Sequence, residues 1–287
     1  MSKLSDKWFT EISPCSGTAF SLEINKHLET VQTNYQKIEI YDTTHFGKMM
    51  AIDGSIMLTA KENFIYHEML VHTAMFTHPH PEEVIIIGGG DCGTLKEVLK
   101  HPSVKKVSQI EIDKEVTRLS AEYFPELCDH NNDPRAHFHF VDGIEWMKSV
   151  PPNSADVIII DSTDPVGPAI GLFETEFHQA CLNALRSNGV YIQQSESPLI
   201  NQDILIAMRK SMMEAGFKHL LTVPFPQPVY QSGFWSVTLA SKHIPLTELR
   251  VDPIPDDWQL KYYNHALHQA ALTPQPFIKK IEQAIYN

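Results

Sequence analysis

The stretch Val84-Ile85-Ile86-Ile87-Gly88-Gly89-Gly90-Asp91-Cys92-Gly93 constrains this chain more than any other. Four β-branched apolar residues without polar alternation predict a strand buried on both faces of a parallel sheet. The glycines let the backbone turn sharply and approach a ligand, and Thr94-Leu95-Lys96-Glu97-Val98-Leu99 then predicts a helix. A strand, glycine turn and helix start place unpaired N–H groups at the carboxyl edge of a sheet, where open α/β folds bind nucleotides. Gly88, Gly90 and Gly93 satisfy G-x-G-x-x-G, and a second strand over 106–110 ends in Glu111, the place of a ribose-binding acid. Asp91 departs from a dinucleotide site. A pyrophosphate at that helix start meets a carboxylate, so a ligand without phosphates and with positive charge fits better.

Residues 1 to 60 read as β-rich, with segments Ala19–Ile24, Tyr35–Tyr41 and Lys48–Ile52 separated by turns at Asp42-Thr43-Thr44 and Asp53-Gly54. Nothing there alternates with helices, which favours an antiparallel sheet. The spacing of Phe64, Met69, Leu70 and Met75 predicts a helix over 63–76, and His78-Pro79-His80-Pro81 then breaks the chain. The expected domains are 1–78, a β-rich unit with a linking helix, and 79–287, a catalytic unit. In the second, strands are predicted at Val84–Ile87, Lys105–Ile110, His137–Val141, Ala155–Ile160 and Gly189–Gln193, with helices between them. A closing pair, His219–Val223 and Phe234–Ala240, is expected to be antiparallel at a sheet edge. The fold class is therefore α/β: a small antiparallel β domain followed by a Rossmann-like, methyltransferase-like doubly wound sheet of about seven strands.

Composition narrows the partners. A net charge of −12 argues against nucleic acid and suits a cationic small substrate. The N-terminus leads into no apolar signal-type segment and no run reaches membrane-spanning length, so the expectation is a cytoplasmic protein with no membrane partner. Four scattered cysteines, Cys15, Cys92, Cys128 and Cys181, read as reduced thiols.

Each strand of the second unit is followed by an acid: Asp91, Glu111, Asp142 and Asp161. One such acid is commonly a helix cap, but four in register should converge on one crevice. Asp161-Ser162-Thr163-Asp164-Pro165-Val166-Gly167-Pro168 reads as a short rigid substrate loop, with an Asx-type turn closed by Asp164 as the structural alternative. His67 and His72 are five apart on a helix and cannot share a face for one ion, and His137 and His139 have no third ligand, so no metal is expected. Tyr66, Tyr230 and Tyr262-Tyr263 fall near breaks in pattern, and Tyr230 enters a hydrophobic strand from a loop.

The chain resembles the polyamine aminopropyltransferases along nearly its whole length, the spermidine synthases most of all. Phe46-Gly47…Asp53-Gly54 is similar to the family's F-G-x-x-x-x-x-D-G, and Phe64-Ile65-Tyr66-His67-Glu68-Met69 to F-x-Y-H-E-M. Gly88–Gly93 resembles G-G-G-D-G-G, Glu111-Ile112-Asp113 resembles E-I-D, and Asp161–Pro168 resembles D-S-x-D-P-x-G-P. Pro228-Val229-Tyr230-Gln231-Ser232-Gly233 resembles P-T-Y-P-S-G, and Tyr262-Tyr263-Asn264 with His268 resembles the terminal Y-Y-N/T…H. Departures are Cys92 where Gly is usual, Ala60-Lys61-Glu62-Asn63 for E-R-D-E, and Ala169-Ile170-Gly171-Leu172-Phe173 for A-E-S-L-F.

The resemblance implies that Gln36, His67 and Asp91 line the aminopropyl donor, with Pro168 also on the donor side. It implies that Glu111 holds the ribose hydroxyls, and Asp142 with Gly143 the adenine. Asp161 is implied as the proton acceptor, with Tyr66, Asp164, Gln194 and Tyr230 around the amine. The implied substrates are decarboxylated S-adenosylmethionine and putrescine, the products spermidine and 5′-methylthioadenosine; no cofactor is implied, and a homodimer or homotetramer is. The alternatives are another acceptor (cadaverine, agmatine or spermidine), an S-adenosylmethionine-dependent methyltransferase, an NAD-dependent dehydrogenase, and a non-catalytic binding module. The residues suit the reaction. A sulfonium leaves as a neutral thioether, while an alkylamine, with a pKa of about 10.4, needs carboxylates to bind it and to take its proton.

Overall fold

Alternation of apolar side chains builds the first sheet. The computed structural model describes residues 5–14 and 16–284. Strands β1 (Trp8–Ser13), β2 (Thr18–Gln32), β3 (Lys37–Thr43), β4 (Gly47–Ile52) and β5 (Ser55–Thr59) form an antiparallel sheet in chain order. Ile38 and Ile40 on β3, Met50 and Ile52 on β4 and Leu58 on β5 point to one face and are buried. That face closes on Val116, Leu119, Phe124 and Leu127 of the second unit. The sequence predicted neither β1 nor β5, and placed only part of β2. The second half of β2, Asn25 to Gln32, is mostly polar; it is held as a strand by its ladder with β3, which survives two register shifts.

Helix α1 (Asn63–Thr77) follows, and nearly all of it is buried. The sequence grouped it with the N-terminal unit as a linker. In the structure it lies on the second sheet, its Met69, Leu70, Ala74 and Met75 sharing a core with strands of that sheet. The remaining elements run β6 (Glu83–Gly88), α2 (Gly93–Leu99), β7 (Lys106–Glu111), α3 (Lys114–Tyr123), β8 (Ala136–Phe140), α4 (Gly143–Lys148) and β9 (Ala155–Asp161). Then come α5 (Thr175–Ala184), β10 (Leu185–Gln194), α6 (Gln202–Ala215), β11 (His219–Pro226), β12 (Phe234–Ser241), α7 (His265–Ala271) and α8 (Pro276–Gln283). The sheet order is β11-β12-β10-β9-β6-β7-β8, with β8, β7, β6, β9 and β10 parallel. The closing pair is antiparallel as expected, but β12 lies inside the sheet, between β10 and β11, and β11 is the edge strand.

The order reverses between β6 and β9, so the chain leaves these neighbours toward opposite sides and opens a crevice at their carboxyl ends. The register puts Gly88 directly beside Asp161. Gly88 has φ 82°, and a Cβ there would stand 2.1 Å from the Asp161 carbonyl oxygen. Only glycine fits that crossing. Cys92, at φ 71° and ψ 0°, occupies the left-handed region that explains why glycine is usual at this place. An L side chain there costs about 1–2 kcal/mol. Cys92, Cys128 and Cys181 are free thiols; Cys15 lies outside the described residues.

Glu68 ties the C-terminal segment to α1. Its buried carboxylate accepts the backbone N–H groups of Lys261 (2.9 Å), Tyr262 (2.8 Å) and Tyr263 (2.7 Å). Glu68→Ala strands these donors, at about 1–3 kcal/mol for one left buried. A drop in Tm of roughly 2–12 °C is expected by calorimetry, taking about 2–4 °C per kcal/mol for a chain of this size. An unchanged Tm would show that the segment is held by other contacts.

Candidate active site

The crevice holds two joined chambers, of about 170 and about 50 Å³. Met57, Tyr66, Ser162, Thr163 and Tyr230 line both and form the passage between them. The larger one is floored by the carboxyl ends of β6, β7 and β9 and roofed by Met50, Ile52 and Leu58 of the first sheet. Ile110, Ile112 and Val116 add an apolar wall. All four strand-end acids, Asp91, Glu111, Asp142 and Asp161, line it, as do Gln36, His67, Gly143 and Pro168. The smaller chamber is lined by Asp164, Gln194 and Glu11, the last reaching in from β1. Every residue singled out from the sequence as a site residue lies on one chamber or the other.

Local structure explains each position. His67 and Tyr66 descend from α1. Asp91 turns back so that Oδ1 accepts the Gly93 N–H (2.8 Å) and Oδ2 meets His67 Nε2 (3.0 Å). A Cβ on Gly93 would lie 2.2 Å from the His67 ring, so this glycine is needed to seat the histidine. Burial alone pulls His67 toward neutrality, but the Asp91 carboxylate beside it holds its pKa up at about 9. Burial likewise raises Asp91, and the His67 charge outweighs it, leaving Asp91 below the usual carboxylate range. The carboxylate that the sequence places at this helix start is thus ion-paired with His67.

Asp161 ends β9 on the wall of the larger chamber, beside the passage. Oδ1 accepts the Tyr66 hydroxyl (2.8 Å) and Oδ2 the Thr94 hydroxyl (2.6 Å). Burial first, and then the Asp91 charge, push its pKa up, against the opposing pull of His67 and the two hydroxyls. His67, Asp91 and Asp161 are the one trio among the described residues whose ligating atoms all lie within 4.8 Å. Glu111 is buried and accepts the Asp113 N–H (2.8 Å), and its burial lifts it to about 7. Gln36 donates to Asp113 (3.2 Å), which also caps α3. Asp142 caps α4 through the Ile144 (2.7 Å) and Glu145 (3.2 Å) N–H groups, so at this acid capping and site lining coincide.

In the smaller chamber Asp164 does not close an Asx turn. The turn is closed by its backbone carbonyl, which accepts the Val166 N–H (2.7 Å), while its side chain meets the fully buried Glu196. Burial pushes both carboxyls up, Glu196 well above the usual range. Gln194 donates to the Thr163 carbonyl (3.3 Å) and Tyr230 to the Met57 carbonyl (2.6 Å), tying the loop of β12 to β5. Sequence reading missed Glu11, Thr94 and Glu196. Glu11 sits on an unpredicted strand, Thr94 reads as an ordinary helix residue, and Glu196 follows a strand end by two residues, a signal the other strand-end acids could have supplied.

Comparison with known proteins places this geometry. Residues 63–250 match the family described as spermine/spermidine synthase domain, and residues 7–60 the spermidine synthase tetramerisation domain. The chain is 52% identical over 275 residues to a polyamine aminopropyltransferase of Xylella fastidiosa (strain M12), covering 95% of this chain and 96% of that one. It is 52% identical over 277 residues to the Nitrosococcus oceani polyamine aminopropyltransferase, covering 96% and 97%. A crystal structure of spermidine synthase in complex with the transition state analogue AdoDATO superposes with TM-score 0.92 at 35% identity, covering 98% of this chain and 96% of that chain. The spermidine synthase from Thermotoga maritima gives 0.89 at 35%, covering 96% and 94%.

Glu111 supplies a stability test. Its folded pKa of about 7 lies above the ordinary glutamate value of 4.5, so the folded chain binds more protons than the unfolded one between those values. Stability from this group therefore falls as pH rises through about 7. Glu111→Gln, which mimics the protonated acid, should match the wild type near pH 5 and exceed it by about 1–3 kcal/mol at pH 8 in urea unfolding. An equal difference at both pH values would show that Glu111 is ionised throughout.

Proposed function

Because the chain belongs to the spermine/spermidine synthase family and is a polyamine aminopropyltransferase, we propose that it moves the aminopropyl group of decarboxylated S-adenosylmethionine to putrescine, giving spermidine and 5′-methylthioadenosine. One observation carries the reading. Both chambers are lined by carboxylates, and His67, already paired with Asp91, is the sole basic side chain among their described lining residues. Such a cavity rejects phosphates and takes two cationic substrates that meet at Asp161.

The larger chamber takes the donor. Its apolar wall covers the adenine beside Asp142, Gly143 and Pro168, and Glu111 accepts from the ribose hydroxyls. Gln36, His67 and Asp91 border the arm that ends in an ammonium. The smaller chamber takes the diamine, its far ammonium toward Asp164 and Gln194 and its near nitrogen between Tyr66, Asp161 and Tyr230. In the transfer the nitrogen lone pair forms a C–N bond to the aminopropyl carbon as the C–S bond breaks. The electron pair leaves on sulfur as a neutral thioether, and the proton lost by nitrogen passes to Asp161. The leaving group carries no negative charge, so no metal or cofactor is needed to stabilise it. In-line positioning supplies much of the rate. We also propose that the chain acts as a homo-oligomer through its N-terminal sheet. The match of residues 7–60 to a tetramerisation domain supports this, as do Trp8 and Ile12, which are exposed on β1. Among the described residues no helix is long and apolar enough to cross a membrane.

Incubation with decarboxylated donor and a panel of putrescine, cadaverine, agmatine and spermidine, read by mass spectrometry, should give methylthioadenosine and the highest kcat/KM with putrescine. Preference for another amine would overturn the acceptor assignment, and no transfer to any amine would overturn the function. Asp161→Asn should lower kcat roughly 10²–10⁴-fold, as loss of a positioned base does, with a smaller effect on donor binding.

Asp91 tests donor choice. Unit charges about 4 Å apart at an effective dielectric near 20 interact by about 4 kcal/mol. Pairing with His67 and desolvation consume most of that, and a remaining third, about 1.4 kcal/mol, is tenfold in affinity. The wild type should bind the decarboxylated donor at least tenfold more tightly than S-adenosylmethionine, and Asp91→Asn should narrow the gap, by calorimetric titration of both ligands. Equal wild-type affinities would sink the charge argument and favour a methyltransferase.

A further inference from the structure

Thr94 sits in the first turn of α2 with its side chain fully buried. A buried hydroxyl requires a partner. In a helix it commonly returns to a carbonyl one turn earlier, but here the preceding turn is the glycine loop. The hydroxyl instead crosses to Asp161 Oδ2 at 2.6 Å, the short distance of a charge-assisted O–H···O⁻ bond, and makes no other described hydrogen bond. Tyr66 holds Oδ1 at 2.8 Å from the opposite side. Resting on the proposed aminopropyl transfer, we infer that Thr94 is a positioning residue for that reaction, its hydroxyl fixing the Asp161 carboxylate across the passage and favouring its charged form.

The surroundings make this hydroxyl matter. Asp161 faces Tyr66 and His67 from α1, Asp91 from the loop after β6, Glu111 from β7 and Tyr230 from the loop before β12. Asp91 and Glu111 disfavour its charge, as does burial, and only His67 and the two hydroxyls favour it. Each carboxylate oxygen has two lone pairs. Thr94 and Tyr66 take one on each oxygen, which sets the plane of the carboxylate and leaves the others for the amine. A carboxylate free to rotate would lose that alignment, and one held protonated could not accept from nitrogen.

Thr94→Val keeps the shape and removes the donor, whereas Thr94→Ser keeps the donor. With Val, the acid limb of kcat/KM for putrescine should move up by about one pH unit. At neutral pH kcat should fall 5- to 50-fold, with methylthioadenosine affinity within twofold of wild type, and Thr94→Ser should restore kcat to within threefold. A Val variant with wild-type kcat and limb, or a Ser variant as impaired as Val, would overturn the assignment, the second by showing that the methyl group acts through packing. A readout independent of turnover separates this from failure of the functional reading. In protein labelled with ¹³C at the aspartate carboxyl carbons, the Asp161 signal, assigned through Asp161→Asn, should titrate at higher pH in Thr94→Val. If the wild type transfers aminopropyl to no amine, the proposed function falls. The titration then decides Thr94 alone, an upward shift supporting the hydrogen bond's role and an unmoved signal refuting it.

Discussion

The site depends on one ion pair, His67 with Asp91 at 3.0 Å. Burying several acids in one crevice is unfavourable by several kcal/mol per uncompensated charge. The described chamber linings supply a single basic side chain against that, and it is spent on Asp91. With His67 protonated and Asp91 ionised, those two cancel, and the trio with Asp161 carries one negative charge when Asp161 is ionised. Burial and Asp91 resist that charge, while His67 and the hydroxyls of Thr94 and Tyr66 favour it. A cation entering the passage tips Asp161 toward ionisation, which is also the form able to take a proton. Under the proposed transfer, substrate binding and base activation are then the same electrostatic event.

The pair exists because three local features agree. The β6–β9 register sets Gly88 against Asp161 and so brings the glycine loop over the end of β9. Gly93 leaves room for the imidazole, and α1 carries His67 down to it because its apolar residues share the core of the second sheet. Glu68, next in sequence, faces away and receives the C-terminal backbone N–H groups. One helix thus sets the active-site charge and fastens the chain end, so its near-complete burial is unsurprising. An amphipathic pattern is absent because there is no solvent side to be polar.

Much of this was legible in the chain. The apolar run before the glycines, the acids after successive strands and the proline-stiffened loop predicted the parallel sheet and the crevice. Those signals are local and periodic. The illegible parts arise from contacts distant in sequence. Polar β2 is a strand because β3 pairs with it, and β12 enters the sheet interior because β10 accepts it as a neighbour. The pairing of Asp91 with His67 was not legible because its counter-ion stands on α1, 24 residues earlier. Glu11 and Thr94 carried no motif at all; their roles come from what the fold sets opposite them, Gln231 at 2.8 Å and Asp161 at 2.6 Å.

Under the proposed function, the smaller chamber extends the same logic to a second substrate. Asp164 and Glu196 share a buried contact and both resist ionisation, and Glu11 at the far wall is raised by burial as well. A neutral molecule entering here gains little beyond van der Waals contact. Under the proposed function a dication gains by favouring the ionised form of groups whose burial resists charge, with one of its charges reaching Asp164 while the other stands at Asp161. Monoamines of equal length satisfy only one end, and a carboxylate-bearing amine meets repulsion at either. On that proposal, selectivity resides in the separation of two carboxylate sites that the fold fixes from different elements, the end of β9 and the loop after it. Asp161 and Asp164 are half-buried, so their attraction for a cation is screened less than it would be at fully solvated groups.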